Sequence, residues 1–284
     1  MDIFLLEAML NGLMYAGLLA LLALGLNLIF GVIDVVWICY AELVMCGMYA
    51  LYWLHAYYGV PFPLAAAAAI LLVALLGALL HRIIIDPILG SAPINQLLAT
   101  GGLLFFLQNF ATLLFTTDFR NVGIRLPSLE LGDIDIGYAR ILAFGVALLG
   151  AAGLYLFLAR TFLGTAIRAI SQDREIMGLM GVDARRIYLI TSAIGGGLAG
   201  LAACLLVLQY DVHPFVGLSF GPITFMICVL GGLGNMIGGV IASFIMAQII
   251  AIGGYELSVE YSQVLAFLVF IVLILIRPQG ILGK

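Results

Sequence analysis

The sequence predicts an all-α, polytopic membrane protein with eight to nine transmembrane or re-entrant helices. The first observation is composition: the 284 residues are 65% hydrophobic and only 9% charged, against about 25% charged in a typical soluble domain. So little polar surface cannot cover a water-soluble body. The second observation is length, because the apolar runs approach the roughly 20 residues that a helix needs to cross the hydrocarbon core.

Eight apolar runs have the length and composition of a spanning helix. They cover residues 4–30, 35–57, 62–81, 95–117, 138–159, 187–209, 236–253 and 259–276. A ninth stretch, 216–233, is broken by glycine and proline, so it either crosses or only re-enters. The N-terminus lacks a basic region and a small-residue cleavage site, which favours a retained first helix over a removable signal. We expect one domain, residues 1–284.

Basic residues predict the orientation of these spans. Five of the eleven lie between residues 160 and 186, so this segment is expected to be cytoplasmic. If the spans alternate, Arg82, Arg277 and Lys284 fall on the same side. Nine crossings would then place the N-terminus outside and the C-terminus inside, while eight spans plus a re-entrant element stays open. The basic residues of the opposite side are Arg120, Arg125 and Arg140.

Two polar segments interrupt the apolar pattern. In the external loop 117–138, LELGDIDI alternates apolar and acidic residues around Gly132 and Asp133. This pattern is typical of a short β-hairpin, with an unstructured acidic loop as the alternative. In the internal segment, apolar residues from Ala166 to Val182 form a broken stripe typical of a short amphipathic helix on the membrane face. Gly181 is expected to stop this helix before a restart near Asp183.

Nothing in the sequence predicts an enzyme. It contains no Ser/His/Asp nucleophile set and no His/Glu metal spacing. It also lacks the G-x-x-x-x-G-K-[ST] phosphate loop, so the chain is not expected to hydrolyse ATP. The four cysteines lie in apolar runs and are expected to be small hydrophobic residues rather than disulfides or metal ligands. The net charge of −4 gives no reason to expect nucleic acid.

Five ordered blocks carry a family resemblance. They are GLNLIFGVIDVV (25–36), PINQLLATGGLLFFLQN (93–109), RAISQDREIMGLMGV (168–182), VLGGLGNMIGGVIAS (229–243) and RPQGILG (277–283). Together they resemble the permeases of the branched-chain amino acid ABC transporter family, LivH-type, over nearly the whole chain. The spacing of Glu175 and Gly181 also matches the EAA motif of ABC importer permeases, with Ile176 and Met177 replacing its alanines.

The resemblance implies a permease subunit of an ATP-driven importer in the bacterial inner (plasma) membrane, carrying branched-chain amino acids or a related small organic solute. It implies a second permease, in a heterodimer, that shares the path. Two cytoplasmic ATPase subunits would use ATP and Mg and bind a coupling helix in residues 160–186, and a periplasmic solute-binding protein would dock outside. No cofactor is expected in this chain. The alternatives are a proton-coupled secondary carrier that uses Glu42 and a membrane scaffold that transports nothing.

Candidate site residues follow from these expectations. The substrate-path candidates are Trp37, Tyr40, Glu42, Asn109, Gly232 and Asn235. The ATPase-coupling candidates are Arg168, Asp173, Glu175 and Gly181. The candidates for binding-protein docking are Glu130, Asp133 and His213, although His213 also fits an ordinary loop histidine. The repeats Gly196-x-x-x-Gly200 and Gly234-x-x-x-Gly238 favour close helix packing over a ligand-cradling loop.

The stretch DVVWICYAE departs from the family. Where the family usually has Asn-Phe-Ala-His-Gly-Glu, this chain reads WICYAE, so only Glu42 is kept. On a continuous helix, Glu42 faces nearly opposite to Trp37 and Tyr40. We therefore expect the two aromatic side chains nearer the solute path and Glu42 as an anchor to a neighbouring helix, with Glu42 in the path as the alternative. The departure favours a solute bulkier or more aromatic than the usual branched-chain amino acids.

Overall fold

The computed structural model describes residues 3–124, 127–131 and 134–282, and most of them are helical. The helices are α1 (Ile3–Ile33), α2 (Tyr40–Tyr52), α3 (Phe62–Leu80), α4 (Asp86–Ile88), α5 (Pro93–Phe115), α6 (Tyr138–Arg160), α7 (Phe162–Gln172), α8 (Arg174–Leu179), α9 (Ala184–Leu206), α10 (Val216–Gly231), α11 (Met236–Glu256) and α12 (Val259–Ile276). Two π-helical turns, Trp53–Tyr57 and His81–Ile85, extend α2 and α3.

Six helices in the described part of the chain are long and apolar enough to cross a membrane. They are Phe4–Ile33, Phe62–Ile88, Pro93–Phe115, Tyr138–Arg160, Ala184–Leu206 and Met236–Glu256. Helix α10, with Pro222 inside it, and the stretch Tyr261–Ile276 of α12 are shorter apolar helices. This architecture fits an all-α polytopic membrane protein, while the count of eight to nine spans stays a prediction.

Helix α1 lies at the centre of the molecule and packs against α6, α9, α10 and α11. Beside it, α9 packs closely on α3, where a Cβ at Gly196 would lie 2.7 Å from the Val73 carbonyl oxygen and one at Gly200 would lie 2.9 Å from the Ile70 Cα. These two glycines therefore do let backbones approach.

In the second repeat Gly234 lies in a turn with φ +80° rather than in a helix. Both of its glycines still lie against backbone, because a Cβ at Gly234 would lie 2.9 Å from the Gly31 Cα and one at Gly238 would collide with Gly231.

The expected single helix over 35–57 is also wrong. Residues 34–39, the unwound segment, contain no α-helix, and α2 begins only at Tyr40. Asp34 starts the segment with φ +60°, a left-handed conformation that Asp tolerates better than most residues. The Thr100 hydroxyl lies 3.0 Å from the Val36 carbonyl of this segment and 3.0 Å from the Gln96 carbonyl of its own helix, so its one proton is shared between these two acceptors.

The two polar segments are both structured. Strands β1 (Ser128–Leu131) and β2 (Ile134–Gly137) pair antiparallel in the external loop, with Leu129 opposite Ile136, whereas the expected turn residues lie outside the described residues. In the internal segment, α7 buries Ala166, Ile167 and Ile170.

The internal segment is interrupted twice. Gly181, with φ +80°, follows α8, and the Asp183 carboxylate accepts from the Arg185 backbone N–H (3.1 Å) at the start of α9. This is the predicted stop and restart. A second interruption, at Asp173 between α7 and α8, is not predicted by the sequence.

Candidate functional site: an apolar cavity beside the unwound segment

A cavity of about 230 Å³ lies where the unwound segment meets α1, α2, α5 and α10. Its walls include Trp37, Tyr40 and Leu104, and none of the described residues that line it carries a charge. The cavity opens between α5 and α10, because its lining residues Leu97 and Phe225 are exposed on the surface of the chain.

The aromatic side chains of the cavity are fixed through their polar atoms. The buried Trp37 indole donates to the Cys39 sulfur (2.6 Å), and the buried Tyr40 hydroxyl donates to the Gly195 carbonyl on α9 (3.1 Å). The Tyr40 hydroxyl can lie there only because position 25 is glycine: a Cβ at Gly25 would collide with it. With their polar atoms occupied inside the protein, the rings present apolar surface to the cavity.

Glu42 lies behind the cavity and does not line it. Its side chain is fully buried, and one carboxylate oxygen accepts from the Gln108 amide on α5 (2.9 Å). The other oxygen has no hydrogen-bond partner among the described residues. The carboxylate rests against Gly217 of α10, where a Cβ would collide with it. Glu42 therefore joins α2 to α5 beside α10.

This placement divides the aromatic residues from Glu42 as expected, although only partly for the expected reason. Tyr40 and Glu42 both lie on α2, two residues apart, so opposite faces of that helix separate them. Trp37 lies in the unwound segment, so helix faces do not explain its position. The chain instead turns at residues 38–39 and starts α2 at Tyr40.

Thr224 of α10 lines the same cavity and was missed by the sequence argument. Its side chain is 2% exposed, and its hydroxyl has no hydrogen-bond partner among the described residues. Two residues earlier on α10, Pro222 has no backbone N–H, so the carbonyl of Leu218 lacks its usual helical donor. A single threonine in an apolar run gives no signal in the sequence, but the proline inside the helix does.

A second cavity, of about 810 Å³, lies beside the coupling segment (residues 160–186). Arg168, Asp34 and Asn235 are among its lining residues. Arg174 also lines this cavity. Its guanidinium donates to the Ile33 carbonyl (2.8 Å) and the Val32 carbonyl (3.4 Å). Because the last carbonyls of a helix have no partner within it, Arg174 caps the C-terminus of α1, immediately before the unwound segment.

The glycine-rich turn also lies at this second cavity, away from the apolar one. Gly232, with φ +97°, ends α10, and the Asn235 side chain accepts from the Gly238 N–H (3.0 Å) and donates to the Leu282 carbonyl (2.8 Å). The buried Asn27 of α1 accepts from the Gly234 N–H (3.1 Å). The structure thus separates Gly232 and Asn235 from Trp37 and Tyr40.

The remaining candidates fall into three places. Asn109 is exposed on α5 and donates to the Phe105 carbonyl of its own helix (2.7 Å). Asp173 accepts from the Ile176 N–H at the start of α8 (3.0 Å). The side chains of Glu130 and Glu175, and all of Asp133, lie outside the described residues.

His213 lies at a third cavity, of about 510 Å³, together with Arg140 and Asp211. Its ring packs against Phe119, with the ring centres 4.7 Å apart. Burial lowers the pKa of His213, and the nearby Asp211 carboxylate partly offsets this effect.

The six long apolar helices define a polytopic membrane protein. Residues 8–274 match the family described as "Branched-chain amino acid transport system / permease component". The chain belongs to this family, and it is a permease component rather than the alternative type of carrier.

Individual relatives agree with this assignment. BraD of Pseudomonas aeruginosa, named a high-affinity branched-chain amino acid transport system permease protein, is 32% identical over 98% of this chain and 96% of its own length. LivH of Escherichia coli K12, named in the same way, is 29% identical over 99% of this chain and 96% of its own length. Among solved structures, PsaBC from Streptococcus pneumoniae in complex with Fab has a similar fold, with a TM-score of 0.53, 14% identity and coverage of 95% and 91%.

Proposed function

We propose that the chain is the permease subunit of an ATP-driven importer for branched-chain amino acids or a related small organic solute. The observation that carries this proposal is the family match over residues 8–274. It is supported by relatives that align over nearly their whole length and are named as permeases of branched-chain amino acid transport systems.

In this proposal the apolar cavity is part of the solute path, with Trp37 and Tyr40 at its wall and Glu42 as an anchor of α2. Because Leu97 and Phe225 leave the cavity open between α5 and α10, this side is where a second permease would complete the path.

The coupling segment would bind the ATPase subunits, and the contacts of Arg174 suggest how it acts. Because Arg174 binds the last carbonyls of α1, a displacement of α7 and α8 would pull on the end of α1 and on the unwound segment that follows it. That segment carries Trp37, so a rigid movement of the coupling helices would reshape the cavity wall.

The topology proposed here puts the coupling segment and the C-terminus in the cytoplasm and the chain in the inner membrane of a bacterium. The hairpin of β1 and β2, together with His213, would then lie outside, where a solute-binding protein docks. Nine crossings satisfy this arrangement if α10 spans.

Uptake in proteoliposomes tests the proposal. The permease complex is reconstituted with its ATPase subunits and its binding protein, and the entry of radiolabelled leucine is followed with ATP, without ATP and without the ATPase subunits. Only the complete, ATP-supplied system is expected to accumulate leucine. Uptake that continues without the ATPase subunits and stops when an ionophore collapses the proton gradient would identify a secondary carrier. No uptake under either condition would identify a scaffold.

A further inference from the structure

We propose that the second cavity, beside the coupling segment, binds the phosphate group of an anionic phospholipid, and that Arg168 and Arg174 are its ligands. The inference goes beyond the proposed function, because it assigns a lipid site that is lined by other residues than the apolar cavity and does not depend on the solute.

The depth of the second cavity points to a lipid headgroup. Three of the six long apolar helices end at this cavity: its lining includes residues 30–32 of α1, residues 155, 158 and 159 of α6, and residues 236 and 237 of α11. A spanning helix ends where the hydrocarbon core gives way to the headgroups. The cavity therefore lies at the level of the lipid phosphates.

The rim of the cavity offers apolar surface for the acyl chains. Tyr155 and Ile237 both line the cavity, and they are 70% and 66% exposed. Tyrosine is enriched at this level of a membrane. Close by in the chain, Phe162 at the start of α7 is 84% exposed. A lipid could therefore lie along α6 with its headgroup in the cavity.

The charge of the lining selects an anionic headgroup. Among the described lining residues, Arg168 and Arg174 are positive and Asp34 is negative, so the net charge matches the single negative charge of a phosphodiester. Basic pockets between membrane helices commonly bind lipid headgroups. The contacts of Arg174 with α1 use only its Nη2, whereas a guanidinium carries five N–H donors.

A phosphate bound here would join the two coupling helices. Arg168 lies on α7 and Arg174 lies on α8, and the chain leaves the helical conformation between them at Asp173. A phosphate that accepted from both guanidinium groups would bridge this interruption, because arginine binds phosphate with strong, directed hydrogen bonds. Through Arg174 the bridge would extend to the end of α1. The lipid would thus stiffen the coupling segment.

Lipid binding to the complete complex tests the proposal. The complex is stripped of lipid in detergent and titrated with phosphatidylglycerol, which carries one net negative charge, or with phosphatidylcholine, which has the same phosphate and no net charge. Bound lipid is counted by native mass spectrometry. Phosphatidylglycerol is expected to bind more tightly, and Arg168→Gln is expected to weaken its binding about tenfold, as for one charged hydrogen bond.

The matched control is Arg160→Gln. Arg160 is the last residue of α6 and does not line the cavity, so this variant is expected to bind phosphatidylglycerol as the unmodified complex does. Equal losses in the two variants, or equal binding of the two lipids, would overturn the site. Displacement of phosphatidylglycerol by an excess of inorganic phosphate would assign the cavity to a free anion and overturn the lipid.

Two further outcomes test what the lipid does. Phosphatidylglycerol is expected to slow amide hydrogen exchange over residues 168–179 in the unmodified complex and not in Arg168→Gln. Exchange that is unchanged by bound lipid would overturn the bridge between α7 and α8. Binding to the permease that is lost when the ATPase subunits are added would show that those subunits cover the cavity, and it would overturn the lipid site while leaving the proposed importer intact.

Discussion

Helices α1 and α6 are almost equally apolar, yet they occupy opposite environments. In the most apolar window of α1, 89% of the residues are buried inside the protein, whereas in α6 only 22% are. Hydropathy therefore identifies both as membrane helices but does not say which is central. In lipid, apolar side chains gain little by leaving the bilayer for the protein, so another property must select the helix that is surrounded.

That property is the fit of individual small residues. In α1, a Cβ at Gly25 would meet Tyr40 and one at Gly31 would lie 3.1 Å from the Gly234 backbone. In α6, a Cβ at Gly145 or Gly153 would meet no atom within 4 Å.

The third glycine of α6, Gly150, lies beside the flexible ends of two leucine side chains, Leu201 and Leu21, at 2.9 and 3.1 Å from an added Cβ. Gly25 and Gly31 of α1 instead lie against an anchored hydroxyl and against backbone. The comparison teaches that contacts, rather than glycine content, decide which helix is central.

The largest effect is expected from Gly25→Val, which would break the packing of the central helix. The new side chain would displace the Tyr40 hydroxyl from the Gly195 carbonyl, and overpacking of this kind costs about 3 kcal/mol at its upper range. We expect loss of folded permease, measured as the yield of monodisperse complex and its thermal unfolding temperature.

Gly153→Val in α6 is the matched control for this prediction, and we expect it to change the free energy of unfolding little, since it meets open space. Equal losses in the two variants would mean that glycine content, and not contact, explains the difference between the helices.

An intermediate effect is expected from Glu42→Ala. The peripheral helix α5 contacts α2 little, and a buried hydrogen bond between Glu42 and Gln108 joins the two helices. Its loss is expected to cost about 2 kcal/mol in the free energy of unfolding. Gln108→Ala should cost a similar amount, and the double variant should add little to either, because both changes remove one interaction. Full additivity in this double-mutant cycle would contradict the anchoring role.

The smallest effect on stability is expected from Arg174→Ala, which leaves the packing of α1 intact and removes the cap at its C-terminus. We expect about tenfold slower leucine uptake, equivalent to about 1.4 kcal/mol, with most ATPase activity retained. Arg174→Lys should restore part of the uptake.

Arg185→Ala on the same segment is the control. Arg185 is exposed, and its Nε lies 3.8 Å from the Asp86 Oδ1 rather than against the end of α1. A parallel fall in uptake and ATPase activity in Arg174→Ala would show that the residue supports assembly and does not link α1 to the coupling segment.

The sequence predicts the helices well and the cavity only in part. The scarcity of charged residues and the length of the apolar runs identify the long apolar helices, because a lipid bilayer requires both of a spanning helix. The apolar run over 35–57 looks like one helix, since nothing local reveals that residues 34–39 are unwound, with Asp34 at φ +60°. Glu42 is recognisable as a polar residue in an apolar span, and so is Gln108 within 93–109. The hydrogen bond between them depends on neighbours distant in the chain. So does the lack of a described hydrogen-bond partner for the Thr224 hydroxyl.

The unwound segment has a consequence for how this permease can diverge from its relatives. In a helix, each side chain direction is tied to all the others by the 3.6-residue period, so re-aiming one residue rotates the rest. Residues 34–39 have no such phase, and α2 begins afresh at Tyr40. Substitutions at Trp37, Ile38 and Cys39, the part of WICYAE that lies in the unwound segment, can therefore alter the cavity wall while the helices on either side keep their register. The shape of the cavity can change here while the surrounding helices keep their packing.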